Sequence, residues 1–211
     1  DRVRIDDTTD AGGGILNING GSFAKSTGTG AVNWSAGFLG GGNIEELLVD
    51  ASGLGNTINI NGVGSTILQP FPNPSIDDPI NVTINGNNGN DTITTPNGFI
   101  ANFRGNVSVN GGGGTDTLFL DDSADAGNDT MTYSGGTFTK SDWSYALTAI
   151  AHDNIVVQAG SGNNTINLTN PNAFPTVRGG AGADIINVEG SFVGVSNVID
   201  GEAGLDSVAV N

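Results

Sequence analysis

The feature that most constrains this chain is that it repeats itself. Residues 1–26, "DRVRIDDTTDAGGGILNINGGSFAKS", align without a gap on residues 116–141, "DTLFLDDSADAGNDTMTYSGGTFTKS", so a shift of 115 positions carries one segment onto the other. Past a short insertion, "NWS" with Trp34 meets "DWS" with Trp143, and "GLGNTINI" (53–60) meets "GSGNNTINL" (160–168). Further on, "GNNGNDTI" (86–93) meets "GGAGADII" (179–186), and "GGGGTDTLFLD" meets "GEAGLDSVAVN" (201–211). Self-similarity of this length calls for a repeat architecture, in which each unit buries its apolar face only against its neighbours. The repeat divides the chain into a first unit at 1–115, with a proline-rich insertion at about 64–80, and a second at 116–205. Residues 206–211 are the start of a third unit or an exchange strand.

Inside each unit short apolar alternations recur: Val3/Ile5, Leu16/Ile18, Leu47/Val49, Ile58/Ile60, Val82/Ile84, Val107/Val109, Leu118/Leu120, Ile155/Val157, Ile166/Leu168, Ile186/Val188 and Val208/Val210. Period-2 alternation bounded by Gly, Asn and Asp reads as half-buried strands, and no window carries a helical stripe. Even "IEELLVDA" fits better as a strand with Leu47 and Val49 inward. The expected fold is all-β, a parallel β-solenoid of two homologous repeat units. A β-sandwich of short strands is the alternative.

Ahead of several strands stands G-x-x-G-x-D: Gly86–Asp91, Gly111–Asp116, Gly179–Asp184 and Gly201–Asp206, with asparagine versions ending at Asn56 and Asn164. Glycine permits positive φ and lets backbone carbonyls turn into a common space, to which the aspartate adds a carboxylate. If consecutive turns stack, these acids lie about one strand spacing (~4.8 Å) apart. Bare carboxylates at that distance repel by roughly a few kcal/mol. An oxygen-only donor set suits calcium, and an ion between stacked turns converts repulsion into a clamp.

"GGAGADIIN" and "GNNGNDTIT" resemble the nonapeptide of RTX (haemolysin-type) calcium-binding repeats, and the longer pattern is similar to repeat regions of large bacterial secreted or surface proteins. The match is degenerate and non-tandem, since Gly86 to Gly111 and Gly179 to Gly201 each span more than twenty residues. The resemblance implies Ca2+ ligation by Gly86, Gly89, Asp91; Gly111, Gly114, Asp116; Gly179, Gly182, Asp184; and Gly201, Gly204, Asp206.

Six basic residues against 22 acids give a formal net charge of −16. That field repels phosphate backbones and anionic lipid, which argues against nucleic-acid binding and a membrane role. No apolar run is long enough for membrane insertion. There is no cysteine, hence no disulfide and no thiolate metal site. His152, the only histidine, reads as a solvated loop residue without a nucleophile beside it. The acid doublets, such as Asp77-Asp78 and Asp121-Asp122, are weighed as a glycosidase pair, but the basic and aromatic supply for sugars is thin. Trp34, Trp143, Phe23 and Phe138 read as packing residues, and Asn59, Asn85, Asn167 and Asn187 as turn caps or stacked side-chain ladders.

These readings converge on a non-enzymatic structural repeat segment of a bacterial surface, matrix or filament protein, secreted to the extracellular space or cell surface, rigidified by calcium and associating head to tail. A carbohydrate-binding adhesin module, taking a carbohydrate or another cell-surface component, is the first alternative. A polysaccharide-active β-helix enzyme is the second.

Overall fold

In the computed structural model the chain passes back and forth between two long sheets. The structure describes residues 2–9, 12–19, 22–25, 32–33, 46–60, 65–66, 77–78, 81–95, 105–169, 175–190 and 198–211. Among these no residue is helical, and no helix is long and apolar enough to cross a membrane.

The first sheet takes β1 (Arg2–Asp6), β5 (Glu46–Asp50), β9 (Asn81–Asn85), β11 (Val107–Asn110), β13 (Thr130–Ser134), β17 (Thr165–Thr169), β19 (Ile185–Glu189) and β21 (Ser207–Val210). The second takes β2 (Ile15–Asn19), β6 (Thr57–Ile60), β10 (Thr92–Thr94), β12 (Thr117–Asp121), β16 (Asn154–Gln158), β18 (Thr176–Arg178) and β20 (Ile199–Asp200). Except between β11 and β13, which an antiparallel excursion separates, neighbouring passes in each sheet pair parallel, in register, for example Leu47↔Val82↔Val107 and Ile58↔Ile93↔Leu118. A β-sandwich would need antiparallel neighbours, so that alternative is set aside. Two long parallel sheets joined pass by pass are what a parallel β-solenoid requires.

Antiparallel pairing is confined to excursions. After β2 the chain doubles back through β3 (Ser22–Lys25) and β4 (Val32–Asn33); after β13 it does so through β14 (Thr137–Lys140) and β15 (Trp143–Ile150). The second excursion turns on Gly135 and Gly136, with φ of 54° and 86°, the double positive φ of the tight hairpin that suits strand twist. A short pair, β7 (Ser65–Thr66) with β8 (Asp77–Asp78), lies in the proline-rich insertion, most of which is outside the described residues.

The core is the set of inward columns. Leu16, Ile18, Leu47, Val49, Ile58, Ile84, Ile93, Leu118, Leu120, Ile166, Leu168 and Ile186 are all buried, each contributing about 1.5–3 kcal/mol. Val208 and Val210 differ from expectation. They continue the columns of Ile186 and Val188 but are 51% and 67% exposed, because among the described residues β21 is paired on one side only, with β19. Phe138 and Trp143 are buried packing residues as expected. Trp34 and the side chain of Phe23 lie outside the described residues.

The repeat has a consequence that strand pattern alone does not reveal. Strands matched by the shift of 115 fall in opposite sheets: β1 is in the first and β12 in the second, β2 in the second and β13 in the first. Each unit makes an odd number of passes (β1, β2, β5, β6, β9, β10, β11 in the first), so the second unit enters the stack half a turn out of phase.

Candidate functional site: the stacked turns and the lysine cage

The glycine turns stand just before strands, and the half-turn offset sends them to two edges of the stack. On one edge Asn56, Asp91, Asp116 and Asp153 precede β6, β10, β12 and β16; on the other, Asp129, Asn164, Asp184 and Asp206 precede β13, β17, β19 and β21. The sequence-derived pairs Asp91/Asp116 and Asp184/Asp206 are therefore each neighbours along one edge.

One bond repeats along both edges. A side-chain oxygen of each later residue, Oδ1 except at Asp153, accepts the backbone N–H of the equivalent residue one coil earlier. Asn56 donates to Asp91 at 2.7 Å and Asp91 to Asp116 at 2.8 Å. Asp116 donates to a carboxylate oxygen of Asp153 at 2.9 Å. On the second edge Asp129 donates to Asn164 at 3.1 Å, Asn164 to Asp184 at 2.7 Å and Asp184 to Asp206 at 3.0 Å. Each side chain thus satisfies an amide that would otherwise be orphaned in a tight turn.

The backbone explains the glycines. Positions two and four of each motif have positive φ: Asn87 69° and Gly89 113°, Gly112 100° and Gly114 134°, Gly180 92° and Gly182 116°, Glu202 62° and Gly204 152°. The second position lies nearer the left-handed well, which Asn and other residues enter at some cost. The fourth lies beyond it, where glycine alone is at ease. The first glycine serves a different end. A Cβ on Gly86 or Gly179 would stand 2.6 Å from Oδ2 of Asp91 or Asp184, and on Gly111 2.7 Å from Oδ2 of Asp116. Glycine at this position makes room for the carboxylate.

That second carboxylate oxygen is the chemically open group. Oδ2 of Asp91, Asp116 and Asp184 is buried and makes no hydrogen bond with the described protein groups. Burial pushes the carboxyls of Asp91 and Asp184 up from the ordinary range, with the negative charge of Asp116 adding to the first and that of Asp206 to the second. Orphaned, acceptor-only oxygens beside glycine carbonyls fit a hard cation. The residues that would hold it are those the sequence pattern names. Asp206, at the exposed end, is only partly enclosed.

A second acidic site was not foreseen. Asp122, Asp125 and Asp129, on the connection between β12 and β13, place a carboxylate oxygen each within 4.8 Å of one another, a group that could hold a metal ion. The Lys140 ammonium reaches into it, 3.0 Å from Asp122, 3.1 Å from Asp129 and 3.0 Å from Asp142, and it also pairs with Asp125. Strand alternation explains this: Phe138 and Lys140 share the inward side of β14. Burial alone would lower the lysine pKa, but hydrogen bonds to Asp125, Asp142 and Asp122 outweigh it and hold it above the ordinary value. Burial likewise raises Asp125, but Lys140 and the Gly127 amide outweigh it and hold this carboxyl low. In the first unit the equivalent lysine is also ion-paired, Lys25 to Asp7 at 2.6 Å. The sequence signal was present, since Asp7/Asp122 and Lys25/Lys140 coincide under the shift of 115.

His152 is not the solvated residue expected. Its Nε2 lies 3.3 Å from the Val109 carbonyl, and burial lowers its pKa. It borders a cavity of about 400 Å³ with Tyr133, Thr148, Ile150 and Ile155. The asparagine ladders are present: Asn59 donates to Asn17 at 2.8 Å and Asn187 to Asn167 at 2.9 Å, while Asn85 donates to Asp50 at 2.7 Å.

Fold and site together define an acidic, parallel two-sheet stack whose turns are tied by an Asp/Asn ladder. The chain matches no protein-family model, no curated protein and no solved structure.

Proposed function

We propose that this chain is a non-enzymatic structural element, a stiff acidic rod from an extracellular or cell-surface bacterial protein, whose aspartate turns take calcium. The observation that carries the reading is the row of buried, unpartnered Oδ2 atoms at Asp91, Asp116 and Asp184. Left bare, each costs stability. Bridged to a divalent cation, each becomes a tie between coils, and the rod stiffens where calcium is plentiful.

Head-to-tail self-association is the companion proposal: the parallel, in-register pairing of β19 with β21 is the contact that a further coil of the same repeat in another copy would make. The adhesin reading loses one of its two candidate aromatic platforms, because Trp143 is packed inside at 5% exposure.

A calcium titration of the whole chain, followed by thermal unfolding, tests the proposal. A ligand that binds only the native state raises Tm in proportion to its occupancy. A calcium-dependent rise that chelator reverses and magnesium reproduces only weakly is the expected result. A Tm indifferent to calcium and chelator would leave the turns purely structural.

A further inference from the structure

Two side-chain types do one backbone job in these turns, and they differ in the atom left over. Oδ1 accepts the neighbouring coil's N–H whether the residue is Asn164 or Asp184. In Asn164 the remaining atom is Nδ2, a donor, and it is satisfied from within: it donates to the Gly162 carbonyl at 2.9 Å and to the Gly160 carbonyl at 3.4 Å. Asn56 repeats the arrangement. Its Nδ2 donates to the Ser52 carbonyl at 3.1 Å, to the Leu54 carbonyl, and to Asp91 Oδ1 at 3.1 Å. Both amides therefore close onto carbonyls two and four residues earlier.

In Asp91, Asp116 and Asp184 the remaining atom is an oxygen. It cannot donate when ionised, and it makes no hydrogen bond with the described protein groups. By the same spacing, the carbonyls two and four residues earlier belong to Gly89 and Asn87, Gly114 and Gly112, and Gly182 and Gly180. The carbonyls of Asn87 and Gly180 accept the Gly113 and Ala203 amides at 2.7 and 2.9 Å, but the carboxylate offers these carbonyls no donor of its own, where asparagine offers two N–H groups.

We infer that the residue closing each turn encodes whether the turn depends on a cation: the amides of Asn56 and Asn164 stand in for one, and the carboxylates of Asp91, Asp116 and Asp184 leave that role to a hard divalent ion. The inference rests on the calcium reading above and extends it to turns that carry no acid. Both kinds of tie then occur along each edge. On the first edge Asn56 is followed by Asp91 and Asp116; on the second Asn164 stands between Asp129 and Asp184.

Two single exchanges in the whole chain test this, with calcium as the probe, reading Tm in calcium and in chelator together with calcium stoichiometry by calorimetry. Asp184→Asn should raise Tm in chelator, shrink the calcium response and remove one bound ion. Asn164→Asp should lower Tm in chelator, enlarge the calcium response and add one ion. If Asn164→Asp does not fold in chelator, recovery in calcium is the expected sign. A parent that responds to calcium while Asp184→Asn keeps its full response and stoichiometry overturns the inference and leaves the calcium reading standing. So does an Asn164→Asp variant that calcium does not restore. A parent that binds no calcium removes both together.

Discussion

The backbone N–H of Asp91 donates to Oδ1 of Asp116 at 2.8 Å, across one coil and 25 residues of sequence. This is a charge-assisted bond inside the stack, since both residues are almost wholly buried. Asp116→Ala removes the acceptor and leaves the amide of Asp91 unpaired, which should cost about 1.5–3 kcal/mol in chelator. Asp116→Asn keeps the acceptor and puts a donor in place of Oδ2, so it should not destabilise the chain in chelator. Urea unfolding of the two variants checks the ordering; equal losses would show that the acceptor oxygen is not what the turn requires.

The fourth glycine of each motif is a separate requirement. Gly182 sits at φ 116°, and a Cβ there would run into the Gly162 carbonyl of the neighbouring coil. Gly182→Ala should lose at least the ~1–3 kcal/mol of a strained backbone, with the clash added. Gly53→Ala should be mild by comparison, since a Cβ there meets nothing within 4 Å. Thermal unfolding of the pair separates close packing from loop composition.

Acid should act in two opposite directions. Asp91 and Asp184 have folded-state pKa values raised by burial, so the native state binds protons more readily than the unfolded chain. Their contribution to stability therefore grows as pH falls from neutrality through the folded pKa, and is complete below the unfolded value near 3.8. Asp125 has the reverse sign. Its pKa is lowered, so its contribution is present above the ordinary value of 3.8 and is lost as pH falls through the folded one. In chelator, Tm should rise on mild acidification and then drop in strong acid. The double variant Asp91→Asn/Asp184→Asn should flatten the rise and spare the drop. A rise that survives in that variant would assign it to relief of the overall charge instead.

The inward columns were legible because strand burial follows period-2 alternation, and Leu47/Val49, Ile58/Ile60 and Ile166/Leu168 need nothing more than that. The pairing of Asp91 with Asp116 was legible because the motif spacing equals one coil. The half-turn offset between units was not: it depends on how many passes a unit makes, and that count includes short strands such as β18 and β20. The environment of His152 was also hidden, since Val109 approaches it from a neighbouring coil. Lys140 was missed for a physical reason. A lysine in a threonine-rich strand reads as an outward charge, and only the inward phase set by Phe138 turns it toward Asp122, Asp125 and Asp129.

Lys140 acts as an internal cation, and removing it should reveal what it balances. Four carboxylates, Asp122, Asp125, Asp129 and Asp142, surround one ammonium, a local net charge of 1 − 4 = −3. The lysine side chain is fully buried, as is that of Asp122. Lys140→Met keeps the length of the aliphatic stem but takes away the charge, leaving buried carboxylates uncompensated. Breaking a buried pair in this way costs about 3–5 kcal/mol. Because three of the acids already place oxygens within 4.8 Å of one another, a divalent ion can take over the role of the ammonium. Calcium should therefore rescue Lys140→Met by more than it stabilises the parent, and calorimetry should find an added ion. A Lys140→Met variant that is destabilised yet indifferent to calcium would show that the cage fits an ammonium and not a metal.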